Sequence, residues 1–176
     1  MMPRSEDAMM LAGPGNGVLA GRLREAVTDG GRGAGEPFFR RQFTATDSET
    51  RATLQALMLA LGQAGVGGED SSNAELILAE ALNNVVEHAY ASGSGPVELT
   101  VCLQRNGMAC TISDHGRPMP SGVVPSPELP VIAPPDDLPE GGFGWHIIRC
   151  LTTELAYRRE RDRNSLMMRL PWSDFD

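Results

Sequence analysis

The strictest pattern in this chain is an alternation of apolar and polar residues in the stretch PVELTVCLQRNGMACTISD. A period of two residues predicts β-strands with one face in the core. The pair Asn106-Gly107 is a strong signal for a hairpin turn within that stretch. If those two residues form the turn, Leu103 lies opposite Cys110 and Cys102 falls on the other face. The two thiols then point to opposite sides of the sheet and are not bridged.

Two helix-start signals precede this hairpin. Thr46–Glu49 reads TDSE, which has the spacing of a capping box. We expect the helix that follows to run to about Gly65, because apolar residues recur in it at three and four positions: Leu54, Leu57, Met58 and Leu61. A second capping box, SNAE at Ser72–Glu75, predicts the start of another helix. Upstream, PFFRRQFTA predicts a first strand with Phe39 and Phe43 among its apolar positions.

The chain after the hairpin divides into a loop, a helix and a second hairpin. Residues 117–140 contain eight prolines, so that stretch is neither regular helix nor central strand. A loop of this length is usually functional or mobile. GGFGWHIIRCL then predicts a glycine turn that leads into a helix. The last segment, ELAYRRERDRNSLMMRLP, predicts a hairpin that turns near Arg161–Asn164 and points alternate residues inward: Leu166, Met168 and Leu170.

Composition limits the class of function. A net charge of −8 and a pI near 4.9 would repel a phosphate backbone, so nucleic-acid binding is disfavoured. No apolar run is long enough for a membrane span and no signal-peptide pattern is present, so we expect a cytoplasmic protein. All basic residues are arginine, which excludes lysine-dependent P-loop, protein-kinase and Schiff-base chemistry. Three cysteines without a CxxC pair favour reduced core thiols over a disulfide framework or a zinc site.

We expect three segments along the chain. Residues 1–36 have little apolar pattern and are expected to form a mostly disordered tail. Val18–Thr28 within that tail could form a short helix against a partner, although a fraying stub is the simpler interpretation. Residues 37–172 are expected to form one α/β domain, and residues 173–176 a C-terminal tail.

The second helix carries side chains that an ordinary helix avoids. In AEALNNVVEHAY, the residues Glu80, Asn84 and His88 lie four positions apart on one face. That face also holds Asn83 and Glu87. Asn costs up to about 0.7 kcal/mol relative to Ala in a helix, and this helix has no arginine, which a solvated face would normally include. A solvated face is one interpretation; the other is a face of oxygen ligands that suits Mg²⁺.

Three motifs in this order resemble the GHKL ATPase superfamily, the fold shared by gyrase, histidine kinases and the mismatch-repair ATPase. The motifs are EALNNVVEHAY, ISDHGRP and EGGFGWHIIRCL, with the proline-rich loop before the third. The short length, the His-Ala-Tyr and the Asn-Ser-Leu before the last strand resemble the anti-sigma-factor serine kinases of bacterial partner-switching systems. The resemblance covers roughly residues 37–172. It implies an α/β (α+β) two-layer sandwich, with a mixed, mainly antiparallel sheet under three helices.

The resemblance implies roles for the first two motifs. Asn84 matches the residue that binds the Mg²⁺ bridging the nucleotide phosphates, and Glu80 matches the residue that orients or deprotonates the nucleophile. Asp114 matches an aspartate that accepts a hydrogen bond from the adenine amino group, although an ordinary turn is the alternative. Gly116 matches a glycine that lets the backbone approach the base. His88 matches a position often occupied by histidine, for which we expect a helix or lid contact.

The resemblance also implies a phosphate site at the third motif. Gly142, Phe143 and Gly144 lead into a helix whose N-terminal N–H groups and dipole could meet a phosphate, although a hinge is the alternative. Ser165 matches a hydroxyl or small residue near the adenine. The common pattern DxGxG has a second glycine at the position of Pro118, where this chain reads Asp-His-Gly-Arg-Pro from Asp114. Because the loop after it has no arginine and four acids, Arg117 is the nearby cation that could help neutralise the transferring charge.

The implied function is an anti-sigma factor that uses ATP and Mg²⁺, sequesters a sigma factor and phosphorylates Ser or Thr on a STAS-type anti-anti-sigma antagonist. The resemblance leaves a homodimer open. One alternative is a non-catalytic module that occludes its partner, which the arginine-free loop favours. Another is an ATPase or histidine-kinase-like domain, whose histidine-kinase form is not expected without an upstream phosphoacceptor helix. The run Arg158–Arg163 is either a solvated hairpin end or a docking surface for an acidic partner.

Overall fold

Three helices cover one face of a five-stranded sheet. The computed structural model of this chain describes residues 36–125 and 143–173. The strands and helices within them follow in this order: β1 (Phe39–Thr44), α1 (Asp47–Gln63), α2 (Gly68–Asn84), β2 (Pro96–Gln104), β3 (Gly107–Asp114), α3 (Phe143–Cys150), β4 (Glu154–Glu160) and β5 (Arg163–Pro171). The predictions for the N-terminal tail, for Gly142 and for most of the proline-rich loop lie outside the described residues.

The strand order in the sheet is β1-β2-β3-β5-β4, and each pair of neighbours is antiparallel. Two hairpins, β2–β3 and β4–β5, account for this order, because β5 docks beside β3 while β1 pairs with the outer edge of β2. The predicted two-layer α/β class is confirmed, with every described strand pair antiparallel. The end of β3 and the start of β5 thereby lie side by side in the sheet.

The alternation of the strands decides which face of the sheet is buried. Leu99, Val101 and Ile112 are at most 1% exposed and lie on the face that the helices cover. The predicted inward residues of β5, which are Leu166, Met168 and Leu170, are also buried. Helices α1 and α2 contribute further core residues, among them Leu57, Leu61, Ile77 and Leu82. Full burial of a side chain of this size stabilises the fold by about 1.5–3 kcal/mol.

The register of the β2–β3 hairpin differs from the predicted one. Gln104 pairs with Gly107, and Leu103 pairs with Met108 rather than with Cys110. The predicted register is therefore wrong by two residues. The predicted faces remain right, because side chains in a strand alternate with a period of two.

Gly107 is a strand residue and not the second residue of the turn. Its φ is +154°, and a Cβ at this position would collide with the backbone carbonyl of Leu170 on the neighbouring strand. The glycine is therefore required by the close approach of β5 to β3. This long-range contact explains the glycine better than the local Asn-Gly turn pattern does.

The predicted helix start at Thr46 is confirmed, and the predicted start at Ser72 is wrong. Thr46 is the N-cap of α1, where its hydroxyl accepts a hydrogen bond from the Glu49 N–H at 3.3 Å. Helix α2 begins at Gly68 instead of Ser72. The Ser72 hydroxyl donates to the Gly68 carbonyl oxygen at 2.8 Å, so Ser72 lies inside the helix. Two acidic residues in the first turn favour the earlier start, because a helix N-terminus carries partial positive charge.

The three cysteines are free thiols. Cys102 and Cys110 lie on opposite faces of the sheet, as predicted. Burial raises the pKa of the Cys110 thiol to about 12. Cys150 is exposed, so the prediction of a core thiol is wrong at this position, whereas Ile148 in the same helix is fully buried. Among the described residues, no helix combines the length and the apolar character needed to cross a membrane.

Candidate functional site: a cavity between helix α2 and the end of strand β3

Helix α2 ends in a wide turn at the polar face for which the sequence leaves two interpretations open, a solvated face and a face of oxygen ligands. Regular α-helix stops at Asn84, and Val85–Ala89 forms a π-helical turn closed by a hydrogen bond of 3.0 Å. Single π-turns at the end of or inside α-helices occur frequently at functional sites. The predicted α-helical spacing therefore holds from Glu80 to Asn84 and not beyond it. The carbonyl oxygen of Ala89, in the π-turn, accepts a hydrogen bond from the Arg117 N–H at 2.9 Å.

Tyr90 ties this turn to the ends of two strands. Its hydroxyl donates to the Pro96 carbonyl oxygen at 2.9 Å and accepts from the His115 N–H at 3.0 Å. Its ring covers Gly95, where a Cβ would collide with the aromatic carbons. Burial raises the pKa of the Tyr90 hydroxyl, so the group stays a neutral donor near pH 7. The end of α2 is thereby held against the end of β3.

Asp114 is a buried carboxylate at the end of β3, and it is 5% exposed. Its Oδ1 accepts hydrogen bonds from the Gly116 N–H at 2.8 Å and from Asn164 Nδ2 at 2.7 Å. Both donors are uncharged, and they supply the hydrogen bonds that a buried carboxylate needs. Within the described residues the hydrogen bonds to the carboxylate of Asp114 all reach Oδ1. Oδ2 therefore keeps its capacity to accept a hydrogen bond from a ligand.

Gly116 lets the loop after β3 pack on the end of α2. A Cβ at this position would lie 2.5 Å from the carbonyl oxygen of Ala89. Because that neighbour is backbone and not the tip of a flexible side chain, an alanine here would push the loop away from the helix. The structure thus gives the glycine a packing role, in addition to the approach to the base that the resemblance implies.

A cavity of about 510 Å³ lies between the end of α2, the loop after β3 and the start of α3. Its volume is within the range of about 300–1,000 Å³ that is usual for ligand pockets. Polar groups lie on two sides of it: Asn84 and His88 on the helix side, and Asp114 and Asn164 on the strand side. Much of the remaining wall is apolar, and it includes Met119, Trp145 and Leu166. An apolar slot with a few convergent polar groups suits a planar base with hydrogen-bonding edges.

Helix α3 holds one wall of this cavity in place. Arg149 donates two hydrogen bonds to the Pro125 carbonyl oxygen, from Nε at 3.1 Å and from Nη2 at 2.9 Å. A third, from Nη2, reaches the Val124 carbonyl oxygen at 3.3 Å. Pro125 lines the cavity, so the guanidinium of Arg149 fixes the described end of the proline-rich loop against α3.

Glu80 lies where α2 and α3 meet, one helical turn before Asn84. A Cβ on Gly144 would come within 2.5 Å of Glu80 Oε2, so the carboxylate rests against the backbone of α3. Within residues 36–125 and 143–173, no hydrogen bond or ion pair engages the side chain of Glu80. The residue is partly exposed and is not among those that line the cavity. An unengaged carboxylate beside the cavity has the chemistry of a group that accepts a proton.

The structure brings together some of the residues that the sequence predicts for the site and separates others. Those that line the cavity are Asn84, Asp114 and Arg117. Ser165 is on the opposite face of the sheet, where its hydroxyl oxygen lies 3.3 Å from that of Ser113. Phe143 begins α3 and is 39% exposed, and Gly142 lies outside the described residues.

Two residues that shape this site were not predicted from the sequence. Asn164 is 4% exposed and binds Asp114, and the Tyr157 hydroxyl donates to Asn164 Oδ1 at 2.7 Å. A signal for Asn164 is its position at the start of a strand that pairs with the strand ending in Asp114. For Tyr157 the signal is an inward position in the alternating strand β4. Both signals become usable only once β3 and β5 are known to be neighbours.

Asn84 has the right chemistry for a magnesium ligand. The described residues contain no group of three or more His, Cys, Asp or Glu side chains that could hold a metal ion. Mg²⁺ does not require such a group, because substrate phosphates and water commonly complete its six oxygen ligands. The amide oxygen of Asn84, on the cavity wall, fits a site of this kind.

Comparison with known protein families agrees with this geometry. The family model described as the histidine kinase-like ATPase domain matches residues 43–170, which is more than half of the chain. This chain belongs to the histidine kinase-like ATPase domain family. The predicted resemblance to GHKL ATPases is thereby confirmed, and the matched range of this ATPase domain includes Glu80, Asn84, Asp114 and Asn164.

Individual relatives of this histidine kinase-like ATPase domain are distant. The serine-protein kinase RsbW of Bacillus cereus (strain AH820) is 25% identical over 105 residues, which cover 58% of this chain and 66% of the relative. The RsbW of Bacillus mycoides (strain KBAB4) is 24% identical over the same shares of the two chains. The chain therefore spans slightly less than two thirds of these relatives. A crystal structure of RsbU and RsbW domains from Mycobacterium tuberculosis has a TM-score of 0.52 at 16% identity, covers 76% of this chain and 32% of that one, and shows the shared fold.

Proposed function

We propose that this ATPase-family domain binds ATP with Mg²⁺ and acts as an anti-sigma factor kinase in the cytoplasm. It would sequester a sigma factor and phosphorylate Ser or Thr on a STAS-type anti-anti-sigma antagonist. The proposal rests on one observation above all: the buried Asp114 has an open acceptor oxygen at a cavity whose other side carries Asn84. Similarity to proteins named serine-protein kinase RsbW supports the choice of a protein kinase.

Each residue of the site has a separate task in this proposal. Asp114 accepts a hydrogen bond from the exocyclic amino group of adenine, and Trp145 and Tyr157 contribute to the walls around the base. Asn84 holds the Mg²⁺ that neutralises charge on the phosphates. Glu80 accepts the proton of the attacking hydroxyl as the bond from the γ-phosphorus to ADP breaks, so that phosphoserine or phosphothreonine and ADP are the products.

Transfer of labelled phosphate from ATP to the cognate antagonist tests the kinase activity. The Glu80→Gln variant keeps the size of the side chain and removes its basicity. We expect it to lose about 100- to 10,000-fold of the transfer rate while its affinity for ATP stays within about twofold of the unmodified chain. Failure to label a partner whose binding has been verified would refute the kinase activity. An undiminished rate in Glu80→Gln would refute the role of Glu80.

A second candidate is a domain that binds nucleotide and partner without phosphoryl transfer. It is favoured by Arg117, whose Nη2 donates to the Ser92 hydroxyl oxygen at 2.8 Å, so that its guanidinium is already engaged. In that case Glu80→Gln and Asn84→Ala should both keep their affinity for the sigma factor, and no labelled antagonist should form with the unmodified chain. Pull-down of the sigma factor, run in parallel with the labelling assay, separates the two functions.

A further inference from the structure

The side-chain amide of Asn164 is bonded on both sides. On one side, Nδ2 donates to Asp114 Oδ1 at 2.7 Å and lies 3.3 Å from the Gly116 carbonyl oxygen and 3.2 Å from that of Arg117. On the other side, Oδ1 accepts from the Tyr157 hydroxyl at 2.7 Å and from Arg159 Nη1 at 2.6 Å. A fully occupied amide at 4% exposure has one stable orientation.

The chemistry of these partners fixes which way the amide points. A guanidinium can only donate hydrogen bonds, and backbone carbonyl oxygens can only accept them. If the amide were reversed, its NH₂ would face the donors of Arg159 and its oxygen would face the carboxylate of Asp114. The donor of Arg159 on one side and the acceptors around Nδ2 on the other therefore favour the same orientation, in which Asn164 presents a donor to Asp114.

Arg159 acts from outside the cavity. It is an exposed residue of β4, does not line the cavity, and also donates from Nη1 to the Gly116 carbonyl oxygen at 3.1 Å. Its neighbour Arg158 is also exposed but pairs with Glu160 instead. The two arginines are adjacent in sequence and alike in charge, and only Arg159 bonds to the network around Asp114.

We infer that Asn164 and Arg159 are positioning residues that set the base specificity of the cavity. Arg159 helps to hold the amide of Asn164 in this orientation, and Asn164 in turn binds Oδ1 of Asp114. Oδ2 remains as the acceptor for a ligand. A purine with an amino group at the 6-position donates to Oδ2, whereas a 6-oxo purine opposes one acceptor to another and is rejected. The inference rests on the proposed binding of ATP and extends it to the residues behind Asp114.

Titration of ATP and of inosine 5′-triphosphate, each with Mg²⁺, tests this role, because the two nucleotides differ at the 6-position. We expect the unmodified chain to prefer ATP by about 100-fold or more. Asn164→Leu should reduce that ratio by about tenfold or more, because one hydrogen bond to the Asp114 carboxylate is lost. Arg159→Met should reduce it by roughly threefold to tenfold, because Asn164 Oδ1 then loses one of its two donors. The matched control Arg158→Met should leave the ratio unchanged.

The ratio of the two affinities separates positioning from general damage, because a loosened fold weakens the binding of both nucleotides alike. If Asn164→Leu fails to fold, as judged by its thermal melt, Arg159→Met still tests the inference, because this variant changes an exposed side chain and is expected to fold. An unchanged ratio in Arg159→Met, or an equal change in Arg158→Met, would overturn the inference while leaving ATP binding intact. Absence of ATP binding by the unmodified chain would overturn the proposed function as well.

Discussion

Two carboxylates on opposite faces of the same sheet are held in opposite ways. Asp114, on the face toward the helices, accepts its hydrogen bonds from an amide and a backbone N–H, and both reach one oxygen. Glu98, on the outer face of β2, accepts from Arg40 at 2.8 Å and Gln42 at 2.7 Å on Oε2, and from Arg163 at 3.1 Å on Oε1.

The difference separates a carboxylate that holds strands together from one that we propose to bind a ligand. The hydrogen bonds from Gln42 and Arg40 lower the pKa of Glu98, and both of its oxygens are in use. Glu98 therefore ties three strands together, and each of its two oxygens already accepts a hydrogen bond. Asp114 is more deeply buried, carries no cationic partner among the described residues, and keeps one oxygen free at a cavity.

Replacing each carboxylate by its amide should give the largest difference in affinity for ATP. In Asp114→Asn the amide oxygen can still accept from Gly116 and Asn164, which turns the NH₂ group toward the cavity and against the amino group of adenine. We expect the affinity for ATP, measured by calorimetry, to fall about 100-fold. Glu98→Gln should keep it within about twofold. Equal losses in the two variants would contradict the distinction between them.

A third carboxylate, Glu80, extends the comparison, because it rests on Gly144 and is engaged by no described side chain. Gly144→Ala should displace this carboxylate and slow phosphoryl transfer roughly tenfold. The melting temperature should change little, since the displaced atom is the free end of a side chain. Gly62→Ala is the matched control, because a Cβ there meets nothing within 4 Å. A tenfold loss in both variants would exclude a local effect on Glu80.

The smallest expected effect is the change in stability caused by a substitution at Glu98, on the outer face of the sheet. Glu98→Gln should lower the free energy of unfolding by about 1 kcal/mol at pH 7, because its partners Arg40 and Arg163 are 58% and 50% exposed and solvent weakens the ion pairs. The pKa of Glu98 is lowered in the folded state, so its contribution is complete above the ordinary value of 4.5 and is lost as the pH falls through the folded value.

Urea unfolding at several pH values checks the direction of this pH dependence of stability. The gap between the unmodified chain and Glu98→Gln should be present at pH 7 and close as the pH falls below 4.5. A gap that persists in acid, where both side chains are neutral, would show that packing and not charge accounts for the difference.

Local patterns predicted the elements of this fold better than its register. The alternation in β2 and β3 gave the right faces, and Thr46 marked the start of α1. The register was wrong because Gly107 is required by its contact with Leu170, which is distant in sequence. The start of α2 was wrong because Ser72 bonds back to Gly68 inside the helix, and a Ser-x-x-Glu spacing alone does not distinguish the two arrangements.

The candidate site divides in the same way. Asn84 and Asp114 belong to local motifs and were found from the sequence, and both line the cavity. Asn164, Tyr157 and Arg159 were not found, because their role depends on the pairing of Asp114 with Asn164 across β3 and β5. Ser165 shows where a motif match alone is insufficient. The match predicts a residue near the base, whereas the alternation of the strand turns the Ser165 side chain to the other face of the sheet.

Calorimetric titration of the unmodified chain with ATP and Mg²⁺ tests most directly whether the cavity beside Asp114 is an adenine-nucleotide site. We expect saturable binding of one ATP per chain, and weaker binding of inosine 5′-triphosphate by about 100-fold. No saturable binding of ATP up to about 1 mM, or equal affinity for the two nucleotides, would contradict the assignment of Asp114 as the residue that reads the base.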